Sequence, residues 1–167
     1  PKNKSVELSL DGTVLAVKSH LEDGKHEYIY AREDLTLKEL GYKELNWNLG
    51  CPYPMVTKSG MGSGLISNTE KINHILERAH TETDIIVSMK MRLGYESPQE
   101  ILDVLPILDQ YPIKNIAIHA RLGKQLYKGG VDLEGFQNCI DTTKHKLYYN
   151  GDITSVTQFQ KMQIGRA

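Results

Sequence analysis

The sequence predicts an α/β fold built on a parallel sheet, and two observations carry that prediction. From about residue 44 onward, a short apolar or alternating run, a polar cluster at its end, and a helix with apolar residues three and four apart follow one another repeatedly. The polar clusters close the runs: Asn46, Asn48 and Cys51, then Lys90 and Arg92, then His119 and Arg121, then Asn150 and Asp152, then Gly165 and Arg166. Such a rhythm calls for parallel strands with right-handed crossovers, either doubly wound or closed into a (β/α)8 TIM barrel. An open sheet concentrates its site at one switch point, whereas a barrel delivers every strand end to one shared rim. Clusters on five successive strands favour the barrel, of which about five βα units are recognisable.

Taken in order, strands are expected at 44–48, 85–91, 115–119 and 147–150, with a last fragment at Ile164. Helices are expected at 69–80, 98–110, 133–144 and 155–163. In the first, Ile72, Ile75, Leu76 and Ala79 form one apolar face, as a helix covering a sheet requires. The second opens with Ser97, Pro98 and Glu100, which supply an N-cap, a preset first-turn φ and a capping-box carboxylate. Pro106 falls inside that helix and predicts a kink or break there.

Residues 1–43 depart from the rhythm. Val6, Leu8 and Leu10, then Asp11-Gly12, then Val14 and Ala16 read as a β-hairpin, and this segment has no barrel assignment. A complete barrel typically needs at least about 200 residues, and the chain has 167. The expectation is therefore a barrel-type catalytic domain over 44–167, truncated or with segments missing.

Lys and Arg number 20 against 21 Asp and Glu, a net charge of -1. There is no global basic field, so a nucleic-acid partner would need a local patch or another segment. Cys51 and Cys139 lie far apart without a CxxC, which argues against a disulfide scaffold or zinc ribbon and for a reducing compartment, the cytoplasm. No apolar window approaches membrane-spanning length, so neither a signal peptide nor a transmembrane helix is expected. The spacing of His and Cys points to no metal, and a monomer is expected.

Cys51 follows a strand directly, in Asn46-Trp47-Asn48-Leu49-Gly50-Cys51-Pro52, where Gly50 allows a tight turn and Pro52 fixes the exit. A thiol of ordinary pKa, about 8.5, can donate a proton to a carbanion, and a depressed pKa would make it a nucleophile. Both roles stay open on spacing alone, as does a buried structural thiol. Cys139, on the apolar stripe of Phe136 and Ile140, reads as core.

Lys58, Gly60, Gly62 and Gly64 form a Gly-rich loop without a phosphate-cradling pattern, either a lid or a solvated connection. Lys90 and Arg92 alternate with Met89 and Met91, so both charges leave one side of a strand, an arrangement that an anionic ligand would relieve. His119 and Arg121 repeat the spacing, and His119 with Lys90 could bind an electron-rich cofactor edge. Asn150-Gly151-Asp152 and Gly165-Arg166 come last, where phosphate-binding barrels present backbone N–H groups.

Together Asn-x-Asn-x-Gly-Cys-Pro (46–52), Lys-x-Gly-x-Gly-x-Gly-Leu (58–65), Lys-x-Arg-x-Gly (90–94), His-Ala-Arg with Gln125, Tyr127 and Gly129, Asn-Gly-Asp-Ile (150–153) and Ile-Gly-Arg-Ala (164–167) resemble the tRNA-dihydrouridine synthases. The resemblance covers about residues 40–167. It implies an FMN-containing TIM barrel that reduces a uridine of tRNA to 5,6-dihydrouridine, with NADPH reloading the flavin. It assigns to Cys51 the proton donated to C5 after hydride reaches C6, and to Asn48 a contact with the uracil and flavin. Lys90 and His119 match residues on the flavin ring, with Arg92 beside them on the substrate side. Asn150, Gly151, Asp152, Gly165 and Arg166 match the ribityl and phosphate segment, and Arg121, Gln125 and Tyr127 a loop near the tRNA, with Lys58 also on the substrate side.

The chain departs from the family pattern in three places. The first barrel strand, with its Ala-Pro-Met segment, and the next two strands are not recognisable in residues 1–43, Ala167 stands where Gly is usual, and the C-terminal helical tRNA-gripping domain is not expected within these 167 residues. Two other readings remain: an FMN-dependent dehydrogenase of a free pyrimidine, of the dihydroorotate or dihydropyrimidine type, and an inactive fragment.

Overall fold

The computed structural model of the chain describes residues 4–8, 15–20, 26–31, 43–157 and 160. Strands β1 (Lys4–Leu8), β2 (Leu15–His20) and β3 (His26–Ala31) form an antiparallel sheet in that order. The hairpin read from Val6 to Ala16 is present in β1 and β2, with Val6 opposite Val17. Leu10, Asp11-Gly12 and Val14 lie outside the described residues. The third strand, with Val17 opposite Ile29, was not anticipated from the patterning of residues 1–43.

From residue 44 the expected rhythm is observed. Strands β4 (Glu44–Leu49), β5 (Ile86–Arg92), β6 (Ile116–His119) and β7 (Leu147–Asn150) pair in parallel in the order β4-β5-β6-β7. Each new strand adds to the same edge, with no reversal of order such as a doubly wound sheet has at its switch point. The sheet is an arc of a (β/α)8 barrel.

Side chains alternate across this arc. Leu45, Trp47 and Leu49, Val87, Met89 and Met91, and Ile116 and Ile118 are buried. All but Leu45 pack in one core with Ile72 and Leu76 of α2 (Thr69–Glu82), Ile101, Val104, Leu105 and Leu108 of α3 (Gln99–Leu108), and Phe136 and Cys139 of α4 (Leu133–Thr142). The opposite face of β4 and β5 carries Asn46, Asn48, Ser88 and Lys90, and Asn46 Nδ2 donates to Ser88 Oγ at 2.8 Å. A two-residue period thus separates an apolar outer face from a polar inner one.

Helix boundaries follow local chemistry. Asn68 caps α2 by accepting from the Lys71 amide, and Asp132 caps α4 by accepting from Gly135. The Glu100 carboxylate reaches back to the amides of Tyr95, Glu96 and Ser97 at 2.6–3.1 Å, the capping-box half that the sequence predicts. The break expected at Pro106 does not occur there. The helix runs through Pro106 and ends two residues later at Leu108, because a proline in the last turn removes only one late hydrogen bond.

Val156, Thr157 and Gln160 are helical, Ser155 is a bend before them, and residues 158, 159 and 161–163 of the expected 155–163 helix, with Ile164, Gly165 and Arg166, lie outside the described residues. Among the described residues no helix is long and apolar enough to cross a membrane.

Candidate active site

The C-terminal ends of the parallel strands converge on an open cleft of about 420 Å³. Its lining includes Asn48 of β4 with Gly50 and Cys51 after it, Lys90 and Arg92 of β5, His119 of β6, Tyr127, and Asn150 of β7 with Gly151 and Asp152 after it. Strand register sets this grouping: Asn48 is level with Lys90, and Arg92 with His119 and Asn150. Lys58, Arg121 and Gln125 do not line the cleft, and Gly165 and Arg166 lie outside the described residues.

Cys51 is half-buried, with its backbone clamped. The Ser63 amide donates to the Cys51 carbonyl at 2.9 Å and the Ser63 hydroxyl at 3.1 Å. Upstream, the Gly50 amide donates to Asn48 Oδ1 at 3.0 Å. Gly62, at φ +55, lies so close that an added Cβ would stand 2.5 Å from the Cys51 carbonyl oxygen. From Gly62 onward the Gly-rich segment is therefore packed, whereas Lys58 and Ser59 before it are exposed. Ser63, Leu65 and Ile66 are buried in it, and it is a packed buttress under the thiol. Lys58 is exposed beside α1 (Pro54–Thr57), away from the cleft lining. Ser63 was missed in the sequence because a lone Ser between glycines carries no periodicity. The close glycines on either side were the available signal.

Arg92, expected on the substrate side, lines the cleft and is engaged there by protein carbonyls. Its side chain is 1% exposed; Nε donates to the Gly50 carbonyl at 3.0 Å, and Nη1 donates to the carbonyls of Leu122 and Leu126 at 2.9 and 2.5 Å. The guanidinium also lies 5.1 Å from the Tyr127 ring centroid. One buried cation thus ties the Cys51 loop to the loop that carries Tyr127. Leu126 adopts φ 54, a left-handed conformation that costs a non-glycine residue about 1–3 kcal/mol, and Arg92 holds its carbonyl.

Arg121 was expected in a tRNA-facing loop and is instead buried. It grips Asp152 with two nitrogens at 2.9 and 2.6 Å and donates to the Gly129 carbonyl. Gln125 also turns inward, its Oε1 accepting from the Leu122 amide at 2.7 Å to close the turn. Of the three residues expected in that loop, Tyr127 is the accessible one, 61% exposed at the cleft mouth.

The electrostatics are those of a site for an electron-rich ligand. Burial, and then the Arg92 charge, lowers the Lys90 ammonium from its ordinary value, with Cys51 acting weakly the other way. His119 is pushed down to about 4, by burial first and then by Arg92, Lys90 and Arg121, so it is neutral at pH 7. The Arg121 hydrogen bonds hold the Asp152 carboxyl below the usual carboxylate range. The one carboxylate in the lining is thus engaged by Arg121, leaving the walls rich in donors and cations. Among the described residues no group of three or more His, Cys, Asp or Glu is placed to hold a metal ion. A thiol, a half-buried ammonium and a neutral imidazole that line one cleft suit a ligand held by its electron-rich edge.

Comparison with known proteins adds a family to this geometry. The sequence profile described as Dihydrouridine synthase (Dus) matches residues 30–164. The chain is 34% identical over 141 residues to the probable tRNA-dihydrouridine synthase of Staphylococcus epidermidis (strain ATCC 35984), covering 81% of this chain and 42% of that protein. It is 31% identical over 163 residues to the probable tRNA-dihydrouridine synthase of Helicobacter pylori (strain J99), covering 90% of this chain and 49% of that protein. It is 30% identical over 118 residues to tRNA-dihydrouridine synthase B of Pseudomonas syringae pv. tomato, covering 70% and 35%. The chain spans between about a third and a half of the length of these relatives.

Proposed function

The chain belongs to the dihydrouridine synthase family, and from that premise we propose that it carries the catalytic rim of an FMN-dependent reductase converting a uridine of tRNA to 5,6-dihydrouridine, with NADPH as reductant. The observation that carries this reading is the meeting of Cys51, Lys90 and His119 in one cleft at the strand ends. Such an enzyme would work in the cytoplasm, where tRNA and reduced nicotinamide are both present.

The residues present fit a flavin. Lys90 and His119 offer hydrogen-bond donors from a wall whose only carboxylate is bound by Arg121, which suits the electron-rich edge of a reduced isoalloxazine. Asn150, Gly151 and Asp152, with Gly165 and Arg166, would take the ribityl chain and phosphate. When bound, FMN supplies the hydride for C6 of the uracil.

The chain's own residues do the rest. Asn48 orients the base, and the clamped Cys51 holds a proton on Sγ for delivery to C5. The base must leave its stack to enter a cleft of this depth, so the RNA is deformed on binding. Tyr127, exposed at the mouth, is placed to meet it.

The test is to incubate the protein with FMN, NADPH and tRNA lacking dihydrouridine, then digest the tRNA and measure dihydrouridine by mass spectrometry. Formation that disappears in Cys51→Ala, while flavin absorbance is retained, supports the reading. Turnover of a free pyrimidine without tRNA would replace it with the dehydrogenase alternative, and absence of flavin binding would remove it.

A further inference from the structure

The guanidinium of Arg121 has five N–H protons and no acceptor. Nη1 donates to Asp152 Oδ1 at 2.9 Å, and Nη2 donates to Asp152 Oδ2 at 2.6 Å and to the Gly129 carbonyl at 2.8 Å. Nε donates to the same carbonyl at 3.3 Å. One Nη1 proton is left, and His119 Nε2 lies 3.2 Å from that nitrogen. Arginine keeps its charge in proteins, so the imidazole nitrogen facing it must accept. An imidazole that accepts at Nε2 carries its proton on Nδ1.

We propose that Arg121 is a positioning residue: it fixes His119 as the neutral Nδ1–H tautomer, so that this wall of the cleft offers its ligand a hydrogen-bond donor and not an acceptor. The inference rests on the reading of the cleft as a cofactor pocket, and it names the chemistry of the ligand edge that meets His119. That edge is an acceptor: a ring carbonyl, an unprotonated ring nitrogen or a phosphate oxygen.

The surroundings agree from every side. Arg92 and Lys90 approach from β5 and Arg121 from the end of β6, and all three oppose a second proton on the ring. Asp152, after β7, is the one group that favours it, and both its oxygens are held by Arg121. The Tyr127 ring, 6.2 Å away and tilted, covers the imidazole without adding charge. Burial works in the same direction as the cations and leaves His119 titrating at about 4.

The test is long-range 1H–15N correlation on the intact protein labelled with 15N-histidine. His119 is identified among the six histidines by the signals lost in His119→Gln. At pH 7 the Nδ1–H pattern is expected, unchanged on lowering the pH to about 5. In Arg121→Met the pattern should change to a tautomer mixture with a raised midpoint, still below the ordinary value because burial, Arg92 and Lys90 remain. A wild-type ring protonated on Nε2 or on both nitrogens at pH 7 overturns the proposal, as does a folded Arg121→Met protein with an unchanged pattern. If that variant does not fold, Asp152→Asn decides causation, because Asp152 is about half exposed and Asn keeps one side-chain acceptor for Arg121. That variant should keep the Nδ1–H tautomer with a lower midpoint, whereas conversion to Nε2–H would show that the carboxylate sets the tautomer. Adding FMN then separates the two readings. Movement of the His119 signals supports the pocket, and a fixed tautomer with no movement removes the pocket while leaving the Arg121 assignment standing.

Discussion

Ser63 holds Cys51 by its carbonyl with two donors, the amide at 2.9 Å and the hydroxyl at 3.1 Å. The contact requires the Gly-rich segment to pass directly beneath the thiol loop, and only a residue without a Cβ allows that at position 62. In Gly62→Ala the new methyl would meet the Cys51 carbonyl oxygen at 2.5 Å, Val56 Cγ1 at 2.9 Å and Cys51 Cβ at 3.0 Å, in a residue held at φ +55. Left-handed strain and overpacking together should destabilise the fold by about 2–4 kcal/mol. Urea unfolding checks this, and a variant as stable as the parent would show that the segment does not press on Cys51. Gly60→Ala is the control: it has positive φ too, but no atom within 4 Å of the added Cβ.

The two cysteines should separate cleanly by reactivity. Cys51 is partly exposed in the cleft, whereas Cys139 of α4 is fully buried, its thiol pushed up to about 12 by burial. A disulfide reagent should therefore titrate one thiol in the native protein and two after denaturation. Cys51→Ala should abolish the native equivalent, and Cys139→Ala should leave it. Two fast thiols in native protein would mean that the α4 face of the core is open.

Much of this was legible in the sequence because it depends on short-range periodicity. The alternation of Lys90 and Arg92 with Met89 and Met91 placed both cations on the inner face, and strand ends collected Cys51, His119 and Asn150 at one rim. Periodicity says which face a residue leaves and nothing about which partners it meets there. Arg92 and Arg121 are alike in sequence, each a cation at a strand end, and both were assigned to substrate. In the structure Arg92 donates to carbonyls 30–42 residues away along the chain, and Arg121 to a carbonyl and a carboxylate 8 and 31 residues away. The turn that Gln125 closes on the Leu122 amide was not legible for the same reason, since periodicity does not show where a long polar side chain folds back. The third N-terminal strand escaped notice because Tyr28, Ile29 and Tyr30 are consecutive apolar residues, which do not alternate.

Lys90 should matter to the ligand more than to the fold. Its ammonium sits against burial and the charge of Arg92, both of which disfavour it in the free protein. Lys90→Met should therefore unfold at the same urea concentration as the parent or higher. If Lys90 contacts the flavin, loss of one charge-assisted hydrogen bond removes about 1.5–3 kcal/mol of binding, or about 10- to 100-fold in affinity. Flavin fluorescence titration of both proteins measures the difference. Equal affinities would take Lys90 out of the cofactor site.

Stability should fall with acid across a window set by His119. Its folded-state value, about 4, lies below the ordinary unfolded value of about 6.5. Between those values the unfolded chain holds a proton that the native protein does not, so stability rises with pH there. The contribution is complete above about pH 6.5, declines as the pH falls, and is gone near pH 4. Carboxylates such as Asp152, whose folded-state value is lowered by Arg121, lose their contribution at lower pH, below the ordinary carboxylate value. The two effects therefore fall in different windows. Urea midpoints measured from pH 7 to pH 4.5 should decline in the parent, and the slope should be shallower in His119→Gln. An equal slope would mean that His119 takes up its proton in the folded state, against the three cations that face it.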